Sequence, residues 1–321
     1  MEGPTEDMIT SPHPGGAART TDEVLDGVDL SGRTALVTGA TSGLGAETAR
    51  SMAAAGATVV LAARDFDAAV DRARRIRELH PNADLDVIGL DLTDLNSVRA
   101  AAGILALRRT GLDLLINNAG VMYPPLIRTG NGFELQFATN YLGHFLLTTQ
   151  LLPVLAATGV RTGRPARVIT LSSDAHHAYA IDLQDPHCWQ RPYDKFVAYA
   201  QSKAANVLMT VELQRRLATA PVAAYAVHPG VCVTGLARFM SRDDFAEMRR
   251  LSAGAPDRLD HPKSVEQAAA TSVWAATAAE LDAHRGAYLA DCAIGRAADH
   301  ATDPDTALAL WELSTRLTAP H

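Results

Sequence analysis

A run of glycines between two patterned segments restricts the fold of this chain more than any other feature. Thr34-Ala-Leu-Val-Thr38 is a short apolar run with the length of a buried strand. Gly39-Ala-Thr-Ser-Gly43-Leu-Gly45 follows at once, and residues 46–55 then read as a helix closed by Gly56. Strand, glycine turn and helix in that order form the context of a phosphate-cradling loop. The glycines permit a tight turn and a close backbone approach. The helix start offers unpaired N–H groups and the positive end of its dipole to a pyrophosphate. The plain alternative is a flexible loop joining two elements, and the pattern on both sides argues against it.

A second constellation carries chemistry. In Tyr199-Ala-Gln-Ser-Lys203 the phenol and the ammonium stand at i and i+4, on one face of a helix, with Ser173 upstream. A phenol ionises near pH ~10 when unperturbed, and a cation beside it favours the phenolate. Such a tyrosine can exchange a proton with an alcohol or carbonyl at working pH. Taken alone, Tyr-x-x-x-Lys also describes an ordinary helix surface.

The motifs gain specificity from their order. Thr38-Gly-Ala-Thr-Ser-Gly-Leu-Gly45, Asn117-Asn-Ala-Gly120, Ser173, Tyr199-x-x-x-Lys203 and Pro229-Gly-Val-Cys-Val-Thr234 follow one another along the chain. Together they resemble the single-domain short-chain dehydrogenase/reductase family, over roughly residues 30–295. The resemblance implies an α/β fold, a Rossmann-like doubly wound parallel sheet with helices on both faces. Its strands, about seven, would run in the order 3-2-1-4-5-6-7, with the site at their carboxyl ends. Alternating strand and helix signals point the same way.

Ser173 and Tyr199 are separated by more residues than is usual in the family. The extra segment includes His176-His177, Tyr179, His187-Cys188-Trp189 and Tyr193. This departure resembles the retinol-dehydrogenase-like and protochlorophyllide-reductase-like branch, in which Ser-Ser-x-Ala-His-His precedes such an insertion. Phe137-Ala-Thr-Asn140-Tyr-Leu-Gly-His144-Phe-Leu-Leu and His228-Pro-Gly230 fit that branch too. It acts mostly on bulky, apolar alcohols and carbonyls, so the resemblance implies that substrate class, with the insertion lining the pocket. His176 and His177 lack a third ligand at metal spacing and read as structural, so no metal is expected.

The resemblance also implies roles. Tyr199 is the acid/base. Lys203 lowers the phenol pKa and contacts the nicotinamide ribose. Ser173 orients the reacting oxygen, being the second of the pair Ser172-Ser173. Asn140 anchors a water and completes a proton relay, or is a helix-interior amide satisfied by a neighbour. Gly39, Thr41, Ser42, Gly43, Leu44 and Gly45 cradle the phosphates. Asp91 and Leu92 border the adenine, though Asp91 also reads as a cap of the helix beginning near Leu95. Asn118, Ala119 and Gly120 border a ribose, with Asn117 bracing the sheet. Pro229, Gly230, Val231 and Thr234 lie against the nicotinamide and phosphates. The strand Thr58–Ala63 ends without the carboxylate that would favour NAD. Arg64 follows and can grip a 2′-phosphate, so NADP(H) is expected over NAD(H). Its alternative is a solvated residue opening a helix capped by Asp65.

With 321 residues and no internal repeat, one domain fits better than two. Residues 29–299 read as the NAD(P)-binding catalytic domain. Residues 1–28, polar and turn-rich, read as a disordered arm without the hydrophobic stretch of a secretory signal. Residues 235–263 mix Phe239, Met240, Phe245, Met248 and Leu251 with charges, as a substrate lid would. Residues 300–321 give a terminal helix and tail. The apolar region 141–160 is broken by His144, Gln150 and Pro153 and reads as a buried or interface helix rather than a membrane span. A net charge of −7 without a Lys/Arg block argues against nucleic acid. Three scattered cysteines suit free thiols in a cytoplasmic protein. The resemblance implies a homodimer or homotetramer through the helices holding Asn140 and Tyr199. Reduction of a carbon–carbon double bond on the same scaffold, or cofactor sensing without catalysis, are the competing functions.

Overall fold

The structure is a computed structural model, and it describes residues 19–107, 111–251 and 262–320. Its centre is one sheet of eight strands: β1 (Thr34–Thr38), β2 (Thr58–Ala63), β3 (Leu85–Gly89), β4 (Leu114–Asn117), β5 (Ala166–Leu171), β6 (Val222–His228), β7 (Tyr288–Ala290) and β8 (Ala293–Ile294). Their order is β3-β2-β1-β4-β5-β6-β7-β8. Seven run parallel, as expected. The eighth is a two-residue antiparallel addition at the edge, paired through Leu289 with Ile294 and Ala290 with Ala293. Such a stub carries no periodicity and exists only through its pairing with β7.

Alternation along the strands sorts two cores. Ala35, Val37, Val59, Leu61, Leu114 and Ile116 face one layer. That layer holds α1 (Thr21–Val24), α2 (Gly43–Ala54) and α3 (Phe66–Leu79). Leu36, Val60, Leu115 and Val168 face the other, which includes α4 (Leu95–Leu107), α5 (Leu135–Thr162) and α6 (Lys195–Arg216). After β6 come a 3₁₀ turn (Gly235–Phe239) and α7 (Arg242–Leu251), then α8 (Val265–Thr277) in the first layer. The chain ends in α9 (Asp299–Thr302) and α10 (Pro304–Leu317), two pieces because Pro304 starts the second.

Parallel strands ending together put their carboxyl ends at one edge. Thr38 pairs with Ala62, Asn117 with Thr170, Leu171 with Val227 and His228 with Ala290. The loops leaving these residues meet above that edge, where a cavity of about 1380 Å³ opens. This exceeds the ~300–1,000 Å³ of an ordinary small-molecule site, leaving room for a dinucleotide and a second molecule.

Part of the expected N-terminal arm is folded. Residues 1–18 lie outside the described residues, but Thr20 opens α1 with a capping box closed by Glu23. Val24 and Leu25 join the core, and Arg50 pairs with Asp22 at 2.7 Å and Glu47 at 2.6 Å. Four residues are too short to show a helical period. The α5 region is long and apolar enough to cross a membrane by composition, yet it runs through the core. The helices α5 and α6, implied for subunit pairing, also carry α10. Trp311 meets Phe145 edge-on at 4.9 Å, Arg216 lies 4.7 Å over the Trp311 ring, and Tyr141 Oη bonds Ser314 Oγ at 2.6 Å.

Candidate active site

The glycine turn is built for close approach. Gly39 and Gly43 have φ of +67° and +54°, in the left-handed region that favours glycine. A Cβ on Gly45 would stand 2.4 Å from Asn118 Nδ2 and 2.5 Å from the Gly39 carbonyl oxygen. The N-cap of α2, Ser42, makes no side-chain cap. The helix start therefore keeps its N–H groups for the cavity, which Gly39, Thr41, Ser42, Gly43, Leu44 and Gly45 all line. The N-caps of α3 and α6, Asp65 and Asp194, do bond their own helices. A dinucleotide's phosphates fit this uncapped, glycine-lined start.

Thr38 ties the turn to the loop after β4. Its hydroxyl accepts from Asn118 N and Ala119 N at 2.9 Å each, and Asn118 Nδ2 donates to the Thr38 carbonyl at 2.8 Å. His144 completes the knot. Its Nδ1 bonds the Asn140 carbonyl at 3.1 Å, which can only accept, so Nδ1 carries the proton. Nε2 then accepts from Thr38 Oγ1 at 2.8 Å. Asn117 braces β4, donating to Thr148 Oγ1 at 2.9 Å and Thr170 Oγ1 at 3.2 Å.

Burial pushes His144 down to about 4, with Lys203 adding to the shift and the Asn140 bond opposing it. His176 is also pushed down to about 4, mainly by burial. Both rings are neutral in the folded chain, which binds fewer protons than the unfolded chain below about pH 6.5. Stability is therefore full above that value and falls as pH drops toward 4. Between pH 7 and pH 5 each ring is expected to cost on the order of 2 kcal/mol, measurable as a fall in the urea midpoint. An unchanged midpoint would mean that the rings are charged in the native state.

Asn140 sits in a π turn (Ala138–Leu142) and is fully buried. Its Oδ1 accepts from Val121 N at 2.8 Å, while Nδ2 donates to the Val121 carbonyl at 3.0 Å and to Ser202 Oγ at 2.9 Å. The side chain pins the Gly120–Val121 backbone. A relay through it has only one Oδ1 lone pair left to use.

Tyr199 and Lys203 sit on α6, and both line the cavity beside Ser173. Ser172 is turned inward, donating from Oγ to the Lys203 carbonyl at 2.8 Å. Ser173 stands beside the Tyr199 phenol in the cavity and favours its ionised form. Lys203 Nζ donates to the Leu171 carbonyl at 2.9 Å and lies 5.7 Å from the Tyr199 ring centroid. One electrostatic expectation changes. Burial raises Tyr199 to about 12, and Ser173, rather than Lys203, is the group that pulls it back. Burial lowers Lys203 to about 8. At neutral pH the pair is a protonated phenol beside an ammonium.

The Ser173 loop is held by His176. Its Nδ1 donates to the Ser173 carbonyl at 2.6 Å and its Nε2 accepts from Ala298 N at 3.1 Å, so neither nitrogen is free for a metal. Arg64, Asp91, Leu92, Asn118, Ala119, Gly120, Pro229, Gly230, Val231 and Thr234 all line the cavity. Asp91 accepts from Thr93 N at 2.9 Å in a local turn, while the cap of α4 falls to Asp94, which accepts from Asn96 N at 2.9 Å. Tyr123, Thr38, His144 and Ser202 were missed in sequence. Tyr123 has φ +56° and packs edge-on against Tyr199, with centroids 5.1 Å apart. Only His144, four residues after Asn140, carried a usable signal. The insertion folds beside the site. Arg128 holds the His187 and Cys188 carbonyls at 3.0 and 2.9 Å, and His187 stacks on Phe133 at 4.7 Å.

Similarity to known proteins follows the same outline. The short chain dehydrogenase family model matches residues 33–244. Human retinol dehydrogenase 12 is 40% identical over 304 residues, covering 94% of this chain and 90% of its own. The chloroplastic short-chain dehydrogenase TIC 32 B of Brassica napus is 36% identical over 310 residues, covering 94% of this chain and 93% of its own. Among solved structures, the Pseudomonas aeruginosa RhlG/NADP active-site complex superposes with a TM-score of 0.65 at 28% identity, covering 82% of this chain and 95% of that one. A cytoplasmic location, expected from the thiols, is corrected: a relative matched across nearly the whole chain is chloroplastic, and free cysteines do not separate reducing compartments. Fold, motif order and relatives agree that this chain is an oxidoreductase of the short-chain dehydrogenase/reductase family, with retinol-dehydrogenase-like relatives.

Proposed function

We propose that this chain is an NADP(H)-dependent enzyme interconverting a carbonyl and an alcohol on a bulky, apolar small molecule. The observation that carries the proposal is the meeting of Ser173, Tyr199 and Lys203 in the cavity that also contains the glycine turn. The cofactor, when bound, supplies or takes the hydride. Ser173 and Tyr199 hydrogen-bond the substrate oxygen and orient it. Tyr199 gives that oxygen its proton, Ser173 favours the phenolate left behind, and Lys203 would contact the nicotinamide ribose. The protonated phenol suits this reducing direction. Asn140 acts as a positioning residue by fixing the Gly120–Val121 backbone.

Substrate class rests on the wall. Met122, Tyr123, Tyr179, Phe196, Met240 and Phe245 line the cavity, and Tyr123 packs against Tyr199. The retinol dehydrogenase relatives support an apolar substrate. NADPH consumption with a panel of apolar aldehydes and ketones tests this, with product mass and carbonyl derivatisation read together. Product that keeps its carbonyl while gaining two hydrogens would assign double-bond reduction instead.

The choice of NADP(H) rests on Arg64, which has no carboxylate partner among the described residues, and is supported by the RhlG/NADP complex. Arg64→Ala is expected to weaken NADPH by about tenfold to a hundredfold, the value of a charge-assisted contact of ~1.5–3 kcal/mol, and to spare NADH. Equal loss of both cofactors in titrations would remove Arg64 from phosphate recognition.

A further inference from the structure

Arg64 is not the only cation at its end of the cavity. After the Pro229-Gly230 turn the chain crosses the opening as a strap. A Cβ built on Gly43 would lie 3.4 Å from Thr234 Cβ and Cγ2, and one on Gly120 would lie 3.8 Å from Leu236 Cδ1. The 3₁₀ turn Gly235–Phe239 thus spans from the glycine turn toward the loop after β4, and it carries Arg238. Arg238 lines the cavity that Arg64 lines. Its guanidinium stacks 4.8 Å over the Phe239 ring, and Nη1 donates to the Gly235 carbonyl at 3.1 Å.

Neither guanidinium has a carboxylate partner among the described residues. The nearest acid in sequence, Asp65, uses Oδ1 to cap α3 through Ala68 N at 3.0 Å. Thr234, at the head of the strap, packs on the glycine turn. That turn is bonded through Gly39 N to the Ala62 carbonyl at 2.9 Å, two residues before Arg64, so both cations face the same end of the cavity. Burial, with Arg64 adding to it, holds Arg238 below the usual arginine range. A chain of net charge −7 has thus brought two like charges together at one cavity. Such a pair is unfavourable by itself and becomes favourable when an anion lies between.

We propose that Arg238 and Arg64 form a two-armed clasp on one phosphate of the cofactor, the 2′-phosphate at the adenosine end, one arm on the strap and the other at the end of β2. The proposal rests on the NADP(H) reading above. It links cofactor choice to the substrate wall, because the strap leads directly into Met240 and α7, which carries Phe245 and Met248. NADPH fastens that segment, whereas NADH, lacking the phosphate, leaves it unfastened.

The test is equilibrium titration of the full chain with NADPH and with NADH, for the parent, Arg64→Ala, Arg238→Ala, Arg238→Lys and the double alanine variant. Arg238→Ala is expected to weaken NADPH by about tenfold and leave NADH unchanged. Arg238→Lys, keeping the charge without the fork, falls between parent and alanine. The double variant loses less than the product of the single losses, because the arms share one anion. Limited trypsin digestion gives a second readout, with NADPH slowing cleavage around Arg238 and Arg242 in the parent and NADH not doing so. If Arg64→Ala selectively weakens NADPH but Arg238→Ala weakens neither cofactor, the clasp is overturned and the cofactor reading stands. Equal weakening of both cofactors by Arg238→Ala places that arginine on the pyrophosphate and also overturns the clasp. If Arg64→Ala does not discriminate between cofactors, the NADP(H) reading fails and the clasp fails with it.

Discussion

Tyr199→Phe is expected to lower turnover by about 10²–10⁴-fold, the usual worth of a positioned acid, while NADPH binds as before. The substitution removes one oxygen and adds no volume, so packing is preserved. The ring is 5% exposed and keeps its edge contact with Tyr123 at 5.1 Å. Its neighbour Ser173 accepts from Ala175 N at 3.3 Å and so is not left without a partner. The stability change should stay near the ~1 kcal/mol of a single hydrogen bond. Single-turnover oxidation of NADPH, with a parallel fluorescence titration, separates chemistry from binding. Full activity in the variant would take Tyr199 out of the reaction. Lost NADPH affinity would instead mean that the phenol shapes the cavity.

Gly45→Ala should damage binding and folding together. The added Cβ would stand 2.4 Å from Asn118 Nδ2 and 2.5 Å from the Gly39 carbonyl oxygen. Neither atom can withdraw freely. Gly39 is backbone in the turn, and Asn118 Nδ2 is engaged with the Thr38 carbonyl at 2.8 Å. Helix α2 must therefore shift off the turn, opening the cradle that its N–H groups form. Overpacking of this kind costs about 1–3 kcal/mol, and a misplaced cradle should weaken NADPH by more than about tenfold. Thermal unfolding and NADPH titration measure the two effects. Gly103→Ala is the matched control, since Gly103 lies inside α4 and, its own helix backbone apart, nothing stands within 4 Å of its Cβ position. There alanine should be neutral or stabilise by about 0.5–1 kcal/mol. If Gly45→Ala behaves like the control, close approach is not what this glycine provides.

Much of the scaffold was legible because its signals are local. Strands β1 and β2 and helix α4 stand where their apolar patterns placed them. Helix α2 begins at Gly43, earlier than the reading from residue 46, because turn glycines that look like loop also form its first turn. The two-residue β8 escaped because pairing, not pattern, creates it. The site divides the same way. Glycine spacing and the i, i+4 pair are visible in one dimension, and the structure brings Ser173, Tyr199 and Lys203 to one cavity. What Asn140 holds, which serine turns inward and where Tyr123 lies depend on contacts between distant segments. The electrostatics were the least legible, because burial, which no motif encodes, dominates at Tyr199 and the group opposing it is Ser173.

The tail also matters to the helices that carry the chemistry. Trp311 and Ser314 rest on Phe145 and Tyr141, along the back of the segment that holds Asn140. A nick before Pro304, or a fused neighbour pulling on the last turns, would bare a greasy strip there. The molecule would then be prone to clump before its chemistry failed.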